Sequence, residues 1–226
     1  MARIQPIWPP FEALDTIWQS PKGQVLEAEK ARRFSQALAG QLMPRPRVLI
    51  LGAVSPPMQQ AFSDLKASST IQAYPPALGV RPGRVPSLLM DSDLPPFASG
   101  HFDLVLISHT FEYRRFPLAL LSLAYEIIQA QGRLALLLPH PLLPQDLRAG
   151  YGASYWGWQV RGLLSRAAFT PQATATARLA SWRPAYGIYV AQPQVPPRPG
   201  RPVVPFNPLE ALRRLRGQPG IAVRRD

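Results

Sequence analysis

The order of apolar runs between residues 103 and 138 constrains the fold more than any other feature of this chain. Asp103-Leu-Val-Leu-Ile-Ser108 is short and continuously apolar, the pattern of a strand buried on both faces. Pro117 to Gln129 carries Leu118, Leu121, Ala124, Tyr125 and Ile128 at three- and four-residue steps, which predicts an amphipathic helix. Gln131-Gly132 ends it, and Arg133 to Leu138 is a second apolar run stopped by Pro139 and Pro141. Strand, helix, glycine, strand is a βαβ unit, which places two parallel strands in one sheet with a right-handed crossover.

The flanks extend the same alternation. Arg47-Val-Leu-Ile-Leu-Gly52 predicts a central buried strand, followed by a short helix over 58 to 67 on Met58, Phe62 and Leu65. Ile71 to Tyr74 and Ser87 to Met90 predict two further strands, and the breaker-rich stretch from Pro75 to Pro86 between them predicts an irregular crossover. Two helices are expected before the first strand. The second starts at Ser20-Pro21, with Ser as N-cap and Pro in the first turn, and ends at Gly40. Tyr155 to Ala168 predicts another helix, then come Phe169-Thr-Pro171 and late strands near 173 to 181 and 187 to 191. The expected architecture is α/β, a doubly wound sheet with helices on both faces. The expected organisation is a helical segment over 1–40, the α/β domain over 41–191 and a tail over 192–226.

Composition narrows the function classes. The chain has no cysteine, so a disulfide framework and a thiolate metal site are excluded. Its three histidines, at 101, 109 and 140, are scattered, and no metal centre is expected. Met1 to Pro10 lacks a basic segment followed by an apolar core, and runs such as Leu134 to Leu138 fall far short of the ~20 residues that span a bilayer. A cytoplasmic protein without a membrane partner is therefore expected. The net charge of +12 invites a nucleic-acid partner. Against that, 22 of the 25 basic residues are Arg, spread along the chain without a strong cluster before residue 198. Of the last 35 residues eight are Pro and seven Arg, a composition that buries too little apolar surface to offset its ordering entropy. Within it, Pro208 to Arg216 sets Leu209, Leu212 and Leu215 opposite Arg213, Arg214 and Arg216, and two readings stand: a solvated tail, or a short basic amphipathic turn on an acidic or nucleic-acid partner.

In a parallel sheet the carboxyl ends of the strands form the ligand crevice. Asp91-Ser92-Asp93 and Ser108-His109 both fall at such ends. The stretch Asp91-Ser-Asp-Leu-Pro-Pro-Phe97, a short turn, Phe102-Asp103, four apolar residues and then His109-x-x-Glu112 resembles the class I S-adenosylmethionine-dependent methyltransferases. The resemblance spans about residues 20 to 190. It implies a Rossmann-like fold and transfer of a methyl group from S-adenosylmethionine to an acceptor the sequence does not name. Gly52, Ala53, Asp91, Ser92 and Ser108 would line the cofactor site. Catalysis of this kind rests mainly on aligning nucleophile, methyl carbon and departing sulfur.

For single residues two readings stand side by side. Asp91-Ser92 matches the pair that reads the adenine ring, or forms an Asx-turn on its own backbone. His109 serves as a catalytic base or polar wall of the transfer site, or closes the loop. His109-x-x-Glu112 also has the spacing of two metal ligands on one helical turn. Tyr151, Tyr155, Trp156 and Trp158 form an aromatic lid or pack the core, and His140 faces the same crevice or belongs to a loop.

The chain also departs from the family pattern. The turn after the first strand is glycine-rich in the family because backbone passes close to the methionine part of the cofactor. Here only Gly52 matches, Val54 replaces a second glycine, and Pro56 and Pro57 remove backbone donors. The second strand ends in Ala73-Tyr74-Pro75-Pro76 without the acid that holds the ribose, and hydrogen bonds to such a charged group are worth roughly 1.5 to 3 kcal/mol. A second function class follows: a methyltransferase-like module without catalysis that engages an acidic partner through its basic tail. Room at Val54 to Pro57 separates the two, because an open loop favours the enzyme and a loop folded into the crevice favours the module.

Overall fold

The computed structural model describes residues 11–74, 86–89, 97–114, 116–148, 151–179 and 183–194. Two helices come first, α1 (Phe11–Gln19) and α2 (Pro21–Leu38). Ser20 caps α2 as its sequence requires: its hydroxyl accepts from the Gly23 N–H at 3.0 Å, and Pro21 fills the first position, where no donor is needed. The buried positions of α2 are 23, 26, 27, 30, 31, 34 and 38, one continuous stripe at helical spacing.

Seven strands follow: β1 (Arg47–Gly52), β2 (Ser69–Tyr74), β3 (Ser87–Leu89), β4 (Phe102–Ser108), β5 (Ile128–Pro139), β6 (Phe169–Leu179) and β7 (Arg183–Pro193). They form one sheet in the order β3-β2-β1-β4-β5-β7-β6. The first five are parallel, and β7 runs antiparallel to both β5 and β6. Helix α3 (Pro56–Asp64) follows β1, α4 (Pro117–Ile127) joins β4 to β5, and the short α5 (Gln145–Arg148) and α6 (Gly157–Arg166) lead to β6. One core cluster lies between the sheet and α1, α2 and α3, and a second between the sheet and α4 and α6. Helices thus cover both faces, and the sheet is doubly wound. Among the described residues no helix is long and apolar enough to cross a membrane.

Several boundaries differ from the sequence expectation, each for a local reason. Pro56 and Pro57 do not delay the helix after β1; they occupy its first turn, where a missing N–H costs nothing. Helix α4 stops at Ile127 because Ile128 already pairs with Phe102, and an irregularity between Phe102 and Leu104 absorbs the extra residues of β5 before its pairing with β4 resumes at Arg133. Phe169-Thr-Pro171 belongs to β6 itself: this strand is an edge of the sheet, where proline is tolerated, and its register shifts between Pro171 and Ala173. Gln192 and Pro193 complete β7, so the regular structure reaches beyond the start assigned to the tail.

From β1 the chain winds outward through β2 to β3 and then returns to place β4 on the other side of β1. That reversal is a topological switch point, and the crevice outside the carboxyl ends of β1 and β4 is where such sheets bind ligands.

Candidate active site

Gly52 ends β1 directly beside Ser108, which ends β4. The two strand ends come so close that a β-carbon on Gly52 would run into the Ser108 carbonyl oxygen and the Thr110 hydroxyl. Gly52 also holds a φ of +104°, a conformation open to glycine. Side chains of the chain itself occupy the neighbouring carbonyls: Gln72 Nε2 donates to the Gly52 oxygen at 2.9 Å and Thr110 Oγ1 to the Leu51 oxygen at 3.0 Å. The turn that continues, Ala53-Val54-Ser55, is buried. Ser55 precedes α3 without capping it, because its hydroxyl donates instead to Glu27 of α2 at 2.6 Å.

From Glu27 a chain of buried polar groups crosses the carboxyl ends of β1 and β4. The Lys30 ammonium lies 2.6 and 2.7 Å from the two Glu27 carboxylate oxygens, 3.5 Å from His109 Nε2 and 4.5 Å over the centre of the Tyr186 ring. An ammonium can only donate, so Nε2 of His109 accepts and its proton sits on Nδ1. Nδ1 then donates to Glu112 at 3.1 Å. Lys30 and His109 are both fully buried, and so are the Glu27 and Glu112 side chains. Breaking such a pair by removing one partner strands the other charge without water, at about 3 to 5 kcal/mol.

Aromatic rings enclose this network. His109 stacks on Tyr151 at 5.1 Å and lies 5.8 Å from Trp18, and the Tyr186 ring meets it edge-on at 6.1 Å. Burial pushes the hydroxyls of Tyr151 and Tyr186 well above the ordinary phenol range, and the Glu27 carboxylate adds to the effect on both. His109 itself holds a φ of +53°, uncommon for a side chain that bears a β-carbon, so the network and the rings fix a backbone shape the residue would not choose alone.

Of the residues expected at the site, Gly52, Ala53, Ser108 and His109 meet at the carboxyl edge of β1 and β4. Asp91 and Ser92 lie outside the described residues, as do Asp93 and most of the crossover from 75 to 86. His109 and Glu112 bond each other, and the acceptor nitrogen of His109 faces Lys30. The aromatic lid divides: Tyr151 belongs to the buried network, Tyr155 packs on Phe111, and Trp156 and Trp158 are exposed. His140 lies edge-on to Trp156 at 5.3 Å and accepts from the Leu142 N–H, a loop residue whose burial lowers its pKa. Glu27, Lys30, Ser55, Gln72, Thr110 and Tyr186 were not anticipated. A signal existed for two of them: Glu27 and Lys30 sit on the stripe of Gly23, Leu26, Ala31 and Phe34, the positions that face a core.

Whether S-adenosylmethionine fits these residues has a divided answer. Toward it, the Ser108 hydroxyl and one Glu112 carboxylate oxygen are buried without a hydrogen-bond partner, which costs about 1 to 3 kcal/mol each and is the mark of groups meant to meet a polar ligand or water. Against it, Ala53, Val54 and Ser55 of the turn are buried and Ser55 is tied to Glu27 of α2.

No family model matches this sequence, and no curated protein is similar enough to it to count as a relative. Solved structures do resemble the fold. The Burkholderia thailandensis 1,6-didemethyltoxoflavin-N1-methyltransferase, solved with S-adenosylhomocysteine, is 16% identical with a TM-score of 0.59, over 81% of this chain and 87% of that one. The magnesium protoporphyrin IX methyltransferase of Synechocystis, also solved with S-adenosylhomocysteine, is 12% identical with a TM-score of 0.60, over 81% and 94%. A Haloferax volcanii complex of the Trm112 methyltransferase activator with a methyltransferase gives 14% and 0.56, over 81% and 97%.

Proposed function

We propose, for a chain that carries the fold of the class I S-adenosylmethionine-dependent methyltransferases, that it binds this cofactor across the carboxyl ends of β1 and β4 and transfers its methyl group to an acceptor not yet identified. One observation carries the reading: at the switch point of the sheet, beside the glycine that ends β1, Ser108 and Glu112 keep buried polar atoms unpartnered. S-adenosylmethionine supplies an activated methyl group. The chain's own residues bind and orient, which is most of what an in-line transfer requires. Gly52 lets β1 and β4 close together, Ser108 and Glu112 present polar atoms to the crevice, and Asp91 with Ser92 would read the adenine ring. His109, held by Glu112 with its proton on Nδ1, walls the transfer site and acts as a base only where its Nε2 is released from Lys30.

A specific feature favours a second reading, a module without catalysis. The Gly52 to Ser55 turn is folded under α2, and its carbonyls are taken by Gln72 and Thr110. In that case residues 195–226, with seven Arg, would carry the contact to an acidic or nucleic-acid partner.

A thermal unfolding scan with S-adenosylhomocysteine separates the two. A site filled to about 100 times its dissociation constant adds roughly 2.7 kcal/mol, which in a chain of this size raises the midpoint by roughly 5 to 11 °C. The enzyme reading expects that rise and its loss in Asp91→Ala. An unchanged midpoint at millimolar ligand speaks for the module.

A further inference from the structure

The buried network does more than fill space, because it joins three separate elements at the carboxyl ends of β1 and β4. Ser55 belongs to the turn after β1, Glu27 and Lys30 to α2, and His109 and Glu112 to the segment after β4. We propose that this network is an autoinhibitory plug: Glu27 and Lys30 hold α2 over the turn at Gly52, and apparent cofactor affinity is set by how often that contact opens. The proposal rests on the methyl-transfer reading and deepens it.

Three observations and one general principle support it. The contact covers the turn that the methionine part of the cofactor would have to reach. Its members are charged, in a stripe of α2 that is otherwise apolar or glycine. A buried ion pair is weak evidence for stability, since well-packed apolar residues of the same volume often serve as well or better. Its value lies in a contact that can let go, because both charges regain water when it opens. Finally, the Ser55 hydroxyl is diverted from capping α3 to bonding Glu27, so the turn itself is tied to the plug.

The thermodynamics give opposite signs for two kinds of change. When only a fraction of molecules is open, the apparent dissociation constant is the intrinsic one divided by that fraction. Glu27→Gln strands the Lys30 charge in the closed state and favours opening. Glu27→Leu with Lys30→Met and Ser55→Ala replaces the plug by apolar groups and favours closure.

The experiment is calorimetric titration of the full chain with S-adenosylhomocysteine, paired with a thermal scan of each variant without ligand. Glu27→Gln is expected to melt lower than the parent and to bind about tenfold more tightly. The apolar triple variant is expected to melt no lower than the parent and to bind at least tenfold more weakly. If Glu27→Gln does not fold, Ser55→Ala removes one hydrogen bond and is expected to bind two- to fivefold more tightly. Equal dissociation constants in parent and variants overturn the plug and leave methyl transfer standing. No binding by the parent or by any variant overturns both.

Discussion

Gly52 is required by its neighbours as well as by its backbone. A β-carbon placed there would run into the Ser108 carbonyl and the Thr110 hydroxyl, and its φ lies in the region where a β-carbon is strained. Gly52→Ala must therefore push the ends of β1 and β4 apart, and urea unfolding is expected to show a loss of about 2 to 4 kcal/mol. A change below about 0.5 kcal/mol would mean that the strand ends leave room for a β-carbon. At this scale the sequence was informative where chemistry and backbone coincide: glycine at the end of an apolar run, and Ser-His at the end of the next. It was silent about Glu27 and Lys30. Charged residues on a helix are read as a solvated face, and only their register with Leu26 and Phe34 marks them as buried. Nothing in the sequence announces that Ser55 bonds a helix 28 positions upstream.

Among the elements, the loop between α5 and α6 is the one that the network draws in. Tyr151 sits on it and meets Tyr186 of β7 edge to face at 5.6 Å, and the Ala153 N–H bonds the Glu112 carbonyl at 2.9 Å. The two tyrosines tie this loop to β7, and their raised pKa values give the tie a pH signature. In the unfolded chain both hydroxyls titrate near the ordinary value of 10.0; in the folded chain they stay protonated above it. Their contribution is fully present below about pH 10 and is lost as pH rises from there toward the folded values. Stability should therefore fall on the alkaline side more steeply in the parent than in a Tyr151→Phe, Tyr186→Phe double variant, as followed by urea midpoints from pH 8 to 11. Parallel curves would show that the hydroxyls titrate alike in both states. The strands β1 and β4 were legible end to end because burial on both faces leaves an unbroken apolar run. The ends of α4 and β6 were not, since a strand irregularity and an edge proline are set by pairing partners that lie far off in sequence.

For the molecule as a whole, a doubly wound sheet with its reversal between β1 and β4 brings α2, the segment after β4 and the loop between α5 and α6 together at the carboxyl ends of those strands. The methyltransferase structures named above share this fold at 12 to 16% identity, which accounts for the architecture and leaves the chemistry to the crevice itself. Its polar groups form a buried network around Lys30 and His109, and β1 ends in a single glycine held against β4. The most direct test is a backbone amide NMR titration of the full chain with S-adenosylhomocysteine. A ligand at the switch point should move the resonances of Gly52 to Ser55 and Ser108 to Glu112 together with those of Glu27 and Lys30 on α2. Shifts confined to other surfaces, such as the exposed face of α6 around Trp158, or no shifts at all at millimolar ligand, would contradict a cofactor site at the carboxyl ends of β1 and β4.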